Sequence, residues 1–244
     1  MKLFKLICLL LIFFLCIEFG ITIFNIDQNI LPFPSNIISE YFDNFEYINN
    51  NLITSLTTAL FSILISFLLS IFLGILIDRY KNLRFFITFI SILQLIPPIV
   101  IAPIFVLLFG FSPLTIYLFV IIFSIFPLLI LIVNSFDNID YEYLIYFNLL
   151  TRNKLKQYFL FKIPYITKEI YKGLILIITY SLTSTVTIEF ITGQSGIGVV
   201  LSRSLKNFNI ELTYVIIFFI ITITVSLLKI LETIYKRSRY AKIY

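Results

Sequence analysis

Six runs of about twenty apolar residues follow one another along this chain, at 4–24, 54–77, 85–109, 114–132, 174–191 and 212–235. No other feature restricts its folding so strongly. At ~1.5 Å of rise per residue, each run makes a helix of ~30 Å, the thickness of a bilayer's hydrocarbon core. In lipid every backbone N–H and C=O must be paired within the chain, and a helix does this alone. Composition agrees: 60% of the 244 residues are hydrophobic and 13% charged, against ~25% charged in soluble domains. The expected fold class is an all-α membrane protein with six transmembrane helices.

Basic residues set the expected orientation. With the N-terminus inside, the inner segments hold Lys2 and Lys5, then Arg79, Lys81 and Arg84. They also hold six basic residues from Arg152 to Lys172, and Lys236, Arg237, Arg239 and Lys242. Two, three, six and four make fifteen, against Arg203 and Lys206 outside, with Lys229 inside the last run. Cytoplasmic loops carry this excess, so both termini are expected in the cytoplasm. The same distribution argues against nucleic acid as a partner. Lys2 and Lys5 ahead of an apolar run resemble a signal peptide, but no A-x-A site follows, so a retained anchor is expected.

Missing residue types exclude several chemistries. With no histidine in the chain, Ser-His-Asp and Cys-His catalysis and histidine metal ligation fall away. Cys8 and Cys16 share one apolar run and read as small fillers, not as metal ligands. Alanine stands only at Ala59, Ala102 and Ala241, beside 28 Phe and 15 Tyr, as an AT-rich coding sequence would produce.

Several interruptions carry the functional signal. In the first outer segment Pro32 and Pro34 stiffen the chain, Ser35 can cap a short helix, and an interfacial helix is expected over 36–45. Gln94, Pro97, Pro98 and Pro103 fall in the third run. Each proline removes a backbone donor, so this helix must bend or break, as a pathway or gate helix does. Glu18 and Glu189 lie deep in apolar runs and are expected to face protein in a structural network, with direct substrate contact as the alternative that makes Glu189 a pathway or gate candidate beside Gln94, Pro97, Pro98, Pro103, Ser184 and Thr187. Lys229 and Glu232 are spaced to pair. Ser184, Thr187 and their neighbours in the fifth run serve either close helix packing or a polar path. Gly193, Gly196 and Gly198 make a tight outer turn, because a phosphate loop would need a Gly-Lys-Ser/Thr ending.

The longest polar break, 135–172, is predicted to hold two short amphipathic helices, over 139–150 and 154–161, the second ending before Pro164. Leu144, Phe147, Leu150, Leu155, Tyr158 and Phe159 recur at three- and four-residue spacing. Such helices either rest on anionic lipid headgroups or dock in a groove of a cytoplasmic protein.

These stretches, in this order, resemble one family: permease subunits of bacterial ABC importers, most similar to the nitrate, sulfonate, taurine and thiamine-precursor group. The residues that carry the resemblance are Ile17-Glu18, Leu31-Pro32-Phe33-Pro34-Ser35, Leu52 to Leu56, Ile96-Pro97-Pro98, Ala102-Pro103-Ile104, Phe109-Gly110 and Phe126-Pro127. Ile163-Pro164, Gly173-Leu174, Glu189 and Gly196-Ile197-Gly198 follow in the family's order. Its cytoplasmic hallmark is Glu-Ala-Ala, three residues, Gly, then a proline thirteen residues on. Counted back from Pro164, those positions hold Ile145, Tyr146, Phe147 and Thr151. The spacing matches and the identities do not.

The resemblance implies a type I ABC importer permease fold in the bacterial cytoplasmic membrane. Residues 1–50 would form an N-terminal helix and outer segment, 51–236 a five-helix core containing the coupling loop 135–172, and 237–244 a basic tail. It implies a second permease copy, two cytoplasmic ATPase subunits gripping Leu144, Ile145, Tyr146, Phe147, Leu150, Thr151, Leu155 and Pro164, and an extracytoplasmic binding protein delivering a small organic or anionic solute. ATP and Mg would be used by the ATPase, and this chain would bind no cofactor. Two alternatives differ in class. A vitamin-importer coupling subunit relies on Ala-Arg-Gly motifs that this sequence lacks. A lipid-modifying enzyme needs clustered His, Asp or Cys at one depth.

Overall fold

The computed structural model describes residues 18–28 and 30–237, and among them all regular structure is helical. Eleven α-helices follow in order: α1 Pro34–Asp43, α2 Phe45–Arg79, α3 Phe85–Leu93, α4 Pro98–Phe109, α5 Pro113–Asp137, α6 Tyr141–Leu150, α7 Lys154–Gln157, α8 Ile163–Tyr165, α9 Thr167–Thr192, α10 Ile197–Lys206 and α11 Ile210–Arg237. Four of these, α2, α5, α9 and α11, are long and apolar enough to cross a membrane. Most of the first predicted run, with Cys8 and Cys16, lies outside the described residues, though 18–23 are helical.

The third predicted run breaks where its prolines demand. α3 ends at Leu93, Gln94 caps it, and Pro97 is extended before α4 starts at Pro98. Proline's fixed φ suits the first helical position, and the residue before a proline is driven out of the α region. Pro103 is tolerated inside α4.

The core forms around α5, which packs between α2 and α9. The face of α2 that meets α5 carries Ser62, Ser66, Ser70 and Gly74, each four residues from the next and each buried. Small side chains let two helix backbones approach closely, which replaces the missing hydrophobic drive in lipid. Ser66 Oγ donates to the Ile121 carbonyl at 3.2 Å and Ser70 Oγ to the Ile125 carbonyl at 3.0 Å. On the other side of α5, a Cβ on Gly173 would sit 2.3 Å from Leu128 Cδ1. α5 is thus clamped from two sides, while α11 shows Phe218, Ile221, Ile230 and Ile234 outward, as a lipid-facing helix does.

Three expectations are corrected. The capping role expected of Ser35 is not observed: Phe33 precedes α1, and Ser35 Oγ donates to Glu18 Oε1 at 2.8 Å. Glu232 pairs with Lys236, one helical turn on, and not with Lys229. The segment after Gly193 is more than a turn, because Gly196 opens α10.

Candidate functional site

The polar break folds as a small helical unit. α6 ends at the extended Thr151, and Asn153 Oδ1 caps α7 by accepting from Lys156 N–H at 3.3 Å. Gln157, 5% exposed, donates to Asn148 Oδ1 at 2.9 Å and to the Thr151 carbonyl at 2.7 Å, stapling α7 to α6. Phe147 stacks on Phe161 with ring centroids 5.1 Å apart. Phe147, Tyr158, Ile166 and Ile170 join Phe136 and Ile132 of α5 in one apolar cluster. The loop is therefore packed onto the bundle.

Between α7 and α8 the chain makes a π-helical turn, Tyr158–Lys162, in which Ile163 N–H donates to the Tyr158 carbonyl five residues back. The expectation that the helix stops before Pro164 is overturned: it runs through it. Pro164 cannot donate to the preceding turn, and the wider π turn just before it accommodates the ring.

That turn aims two side chains at Asp78, in the last turn of α2. Asp78 Oδ2 accepts from Tyr158 Oη at 2.7 Å and Lys162 Nζ at 2.6 Å, and Oδ1 accepts from Lys81 Nζ at 2.7 Å. A carboxylate at a helix C-terminus meets the negative end of the dipole, at a cost of ~0.3–1 kcal/mol. Here two ammonium groups and a phenol outweigh that. Burial, then the hydrogen bond to Asp78, pushes the Tyr158 phenol well above its ordinary value, so it stays a donor. Lys162 Nζ also lies 4.7 Å from the Tyr158 ring centroid. Beside this clamp, Asp137 at the end of α5 pairs with Arg84 and, at 3.5 Å, with Lys81.

The predicted docking residues divide. Phe147 is 7% exposed and belongs to the core, while Ile145, Tyr146 and Leu150 stand out from α6 at 43%, 57% and 49%, joined by Leu149, which was not among the predicted residues, at 80%. Leu155 is exposed, and Leu144, Thr151 and Pro164 are half-buried.

A second cluster closes the other end of α2. Glu189, 1% exposed, accepts from Ser55 Oγ at 2.8 and 2.7 Å and from Gly198 N–H at 3.0 Å. Ser55 in turn accepts from Ile197 N–H at 2.7 Å, and Asn51 Oδ1 accepts from Gly196 N–H at 2.9 Å. Gly196 has φ +102°, and a Cβ there would lie 2.1 Å from the Glu189 carboxyl carbon. So Glu189, Gly196 and Gly198 do meet, whereas Gly193 only ends α9 in a left-handed conformation. Glu18 is not in this network: its described contact is Ser35.

Of the pathway candidates, Glu189 is the centre of this second cluster, and the others take no hydrogen bond in either. Gln94 is half-buried at the α3–α4 elbow, with Pro97 and Pro103 exposed and Pro98 half-buried. Ser184 is buried without a hydrogen-bond partner, and so are Ser62, Ser124 and Thr185. Thr187 donates to the Thr183 carbonyl. Asp78, Tyr158, Lys162, Ser55 and Asn51 were not singled out as site residues from sequence. The four-residue spacing of small residues that ends at Asp78 is the signal that could have found its helix face.

The sequence profile of the binding-protein-dependent transport system inner membrane component matches residues 83–239, more than half of the chain. The chain belongs to that family. It is a permease subunit of a binding-protein-dependent ABC transport system, an inner-membrane transport component and not an enzyme. No individual curated protein matches it. Among the described residues, no group of three or more His, Cys, Asp or Glu could hold a metal. Membership implies an ABC ATPase and a substrate-binding protein as partners of the permease.

Proposed function

We propose that this permease forms, with a second identical copy, the pathway of a type I importer for a small organic or anionic solute of the sulfonate, nitrate or thiamine-precursor kind. Five spans cross the membrane among the described residues, α2, α5, α9, α11 and the broken pair α3–α4; the sixth expected from the sequence, the run 4–24, lies mostly outside them. Both termini and the loop 135–172 face the cytoplasm, where two ATPase subunits grip α6. A binding protein docks outside. The half-buried Gln94 and Thr187 and the buried Ser184 line the path, with the prolines of the elbow as its gate.

The observation that carries this reading is the clamp of the loop onto α2. An ATPase gripping α6 moves a unit stapled by Gln157 and locked to Asp78. α2 then acts as a strut. Asp78 and Ser55 are 23 residues apart on it, or ~35 Å at ~1.5 Å per residue. Motion at the inner end therefore reaches the Glu189–Gly198 closure at the outer end. The docking face is Ile145, Tyr146, Leu149 and Leu150; Phe147 is left out because it packs inside.

The test is co-purification with the ATPase and stimulation of ATP hydrolysis by loaded binding protein in reconstituted membranes. Leu149→Asp with Leu150→Asp should abolish stimulation while insertion and Tyr158 burial persist. Unchanged stimulation would remove α6 as the coupling helix.

A further inference from the structure

The loop, the end of α2, the end of α5 and the 3₁₀ turn Lys81–Arg84 enclose an open cleft of about 610 Å³. Its lining holds five cations, Arg79, Lys81, Arg84, Lys154 and Lys162, against the two carboxylates of Asp78 and Asp137, a net charge of 5 − 2 = +3. The carboxylates are already used by Lys81, Lys162 and Arg84. Arg79 lies 5.5 Å from the Tyr80 ring centroid, and Lys154 donates to Asn148. Neither has a described carboxylate partner. The guanidinium of Arg84 meets Asp137 through a terminal nitrogen, and its Nε is buried with no hydrogen-bond partner. The accessible excess of cations around one open cleft, with Arg79 and Lys154 free of described carboxylate partners, makes it a site for an anion.

From this geometry we infer that the cleft binds a phosphate-bearing anion, foremost the headgroup of an acidic phospholipid. The apolar surface beside it favours the lipid source. α3 starts at Phe85, next to Arg84, and shows Phe85, Phe86, Phe89 and Ile92 outward at 64%, 45%, 58% and 57% exposure. A phosphate held by Arg84 would leave its acyl chains along that face. Basic clefts at the cytoplasmic ends of spanning helices hold such headgroups. The depth of the cleft in the bilayer rests on the orientation proposed above; its charge does not.

The experiment uses the purified full chain without ATPase or binding protein, so its outcome is independent of the coupling reading. Native mass spectrometry in neutral detergent would count phosphatidylglycerol retained against phosphatidylcholine. Inorganic phosphate would be titrated against the thermal midpoint at matched ionic strength. Preferential retention of phosphatidylglycerol is expected. Arg79→Gln with Lys154→Gln, which breaks none of the ion pairs named, should weaken it about thirtyfold. Lys168→Gln with Lys172→Gln, an equal charge change away from the cleft lining, should not. A shift by inorganic phosphate with no lipid preference, lost in the cleft variant, would assign the site to a soluble phosphate. Binding of neither probe, or equal loss in both variants, would overturn the inference.

Discussion

Asp78→Asn is the most incisive perturbation of the clamp, because it removes the charge and keeps the shape. The Asp78 side chain is 5% exposed and accepts from Lys81, Tyr158 and Lys162. The cost is set by Lys162, 15% exposed, which would keep its charge without a counterion. Breaking a buried pair by removing one partner costs ~3–5 kcal/mol, and incomplete burial puts this case near ~3. Lys81, 56% exposed, adds less than ~1 kcal/mol because solvent screens it. The single variant should therefore lose about 3–4 kcal/mol. Lys162→Met leaves Asp78 with two donors and should lose about 2 kcal/mol. The double variant removes both charges from a half-buried site and should lose only about 2 kcal/mol in total. The cycle then gives a coupling of about 3–4 kcal/mol between the two side chains.

Reversible unfolding in mixed micelles, titrated with SDS and followed by tyrosine fluorescence, would measure all four proteins. Additivity of the two single variants within ~0.5 kcal/mol would refute the argument. Asp78 and Lys162 would then be neighbours without mutual dependence, and the loop would have no electrostatic hold on α2. The same single variants should lower binding-protein-stimulated ATP hydrolysis if the clamp transmits motion.

Four further outcomes follow from the packing and from the phenol. Gly173→Ala should cost ~1–3 kcal/mol by overpacking against Leu128, and Leu128→Ala should recover part of it in the double variant, measured by the same titration. Gly198→Ala places a Cβ 2.3 Å from the Val186 carbonyl oxygen, a backbone atom that cannot step aside, and should abolish the folded fraction on gel filtration. Gly193→Ala meets nothing within 4 Å and should cost only the left-handed penalty of ~1–2 kcal/mol. The Tyr158 phenol is held above its ordinary value, so the folded state keeps a proton that the unfolded state releases near pH ~10. Its contribution is complete below that pH and is lost as pH rises through the folded value. Tyr158→Phe should thus flatten the alkaline loss of stability, read as the midpoint in SDS against pH.

The sequence made part of this architecture legible because some of its signals are local. Runs of apolar residues announce helices, and Pro97 and Pro98 break one wherever it sits, so α2, α5, α9, α11 and the elbow could all be foreseen. The amphipathic spacing around Phe147 likewise predicted two helices in the polar break. What it hid was which side of α6 turns inward: Phe147 and Leu150 have the same period, and only the stacking of Phe147 on Phe161 separates core from surface. Asp78 was hidden for another reason. In sequence it is one acid beside Arg79 and Lys81, which reads as an ordinary membrane edge, while Tyr158 and Lys162 lie 80 and 84 residues away.

The signal that did exist was periodic and faint. Ser62, Ser66, Ser70, Gly74 and Asp78 fall every four residues, on one face of α2. In water such a stripe is usually solvated. In lipid it is the face that must meet protein, because serine hydroxyls need acceptors and small side chains permit contact. The carboxylate at its end is then forced into the same interface and must find cations there. Only partners brought by another segment can complete its set, so a buried acid that closes a small-residue stripe marks where a loop has to dock. On this chain that logic selects the loop whose residues depart from the family's hallmark. The Asp78 clamp uses no side chain at the departed positions Ile145, Tyr146 and Thr151, whereas at the fourth Phe147 packs inward and helps to seat the loop. The electrostatic part of the connection to α2 is therefore made outside the motif that names the loop.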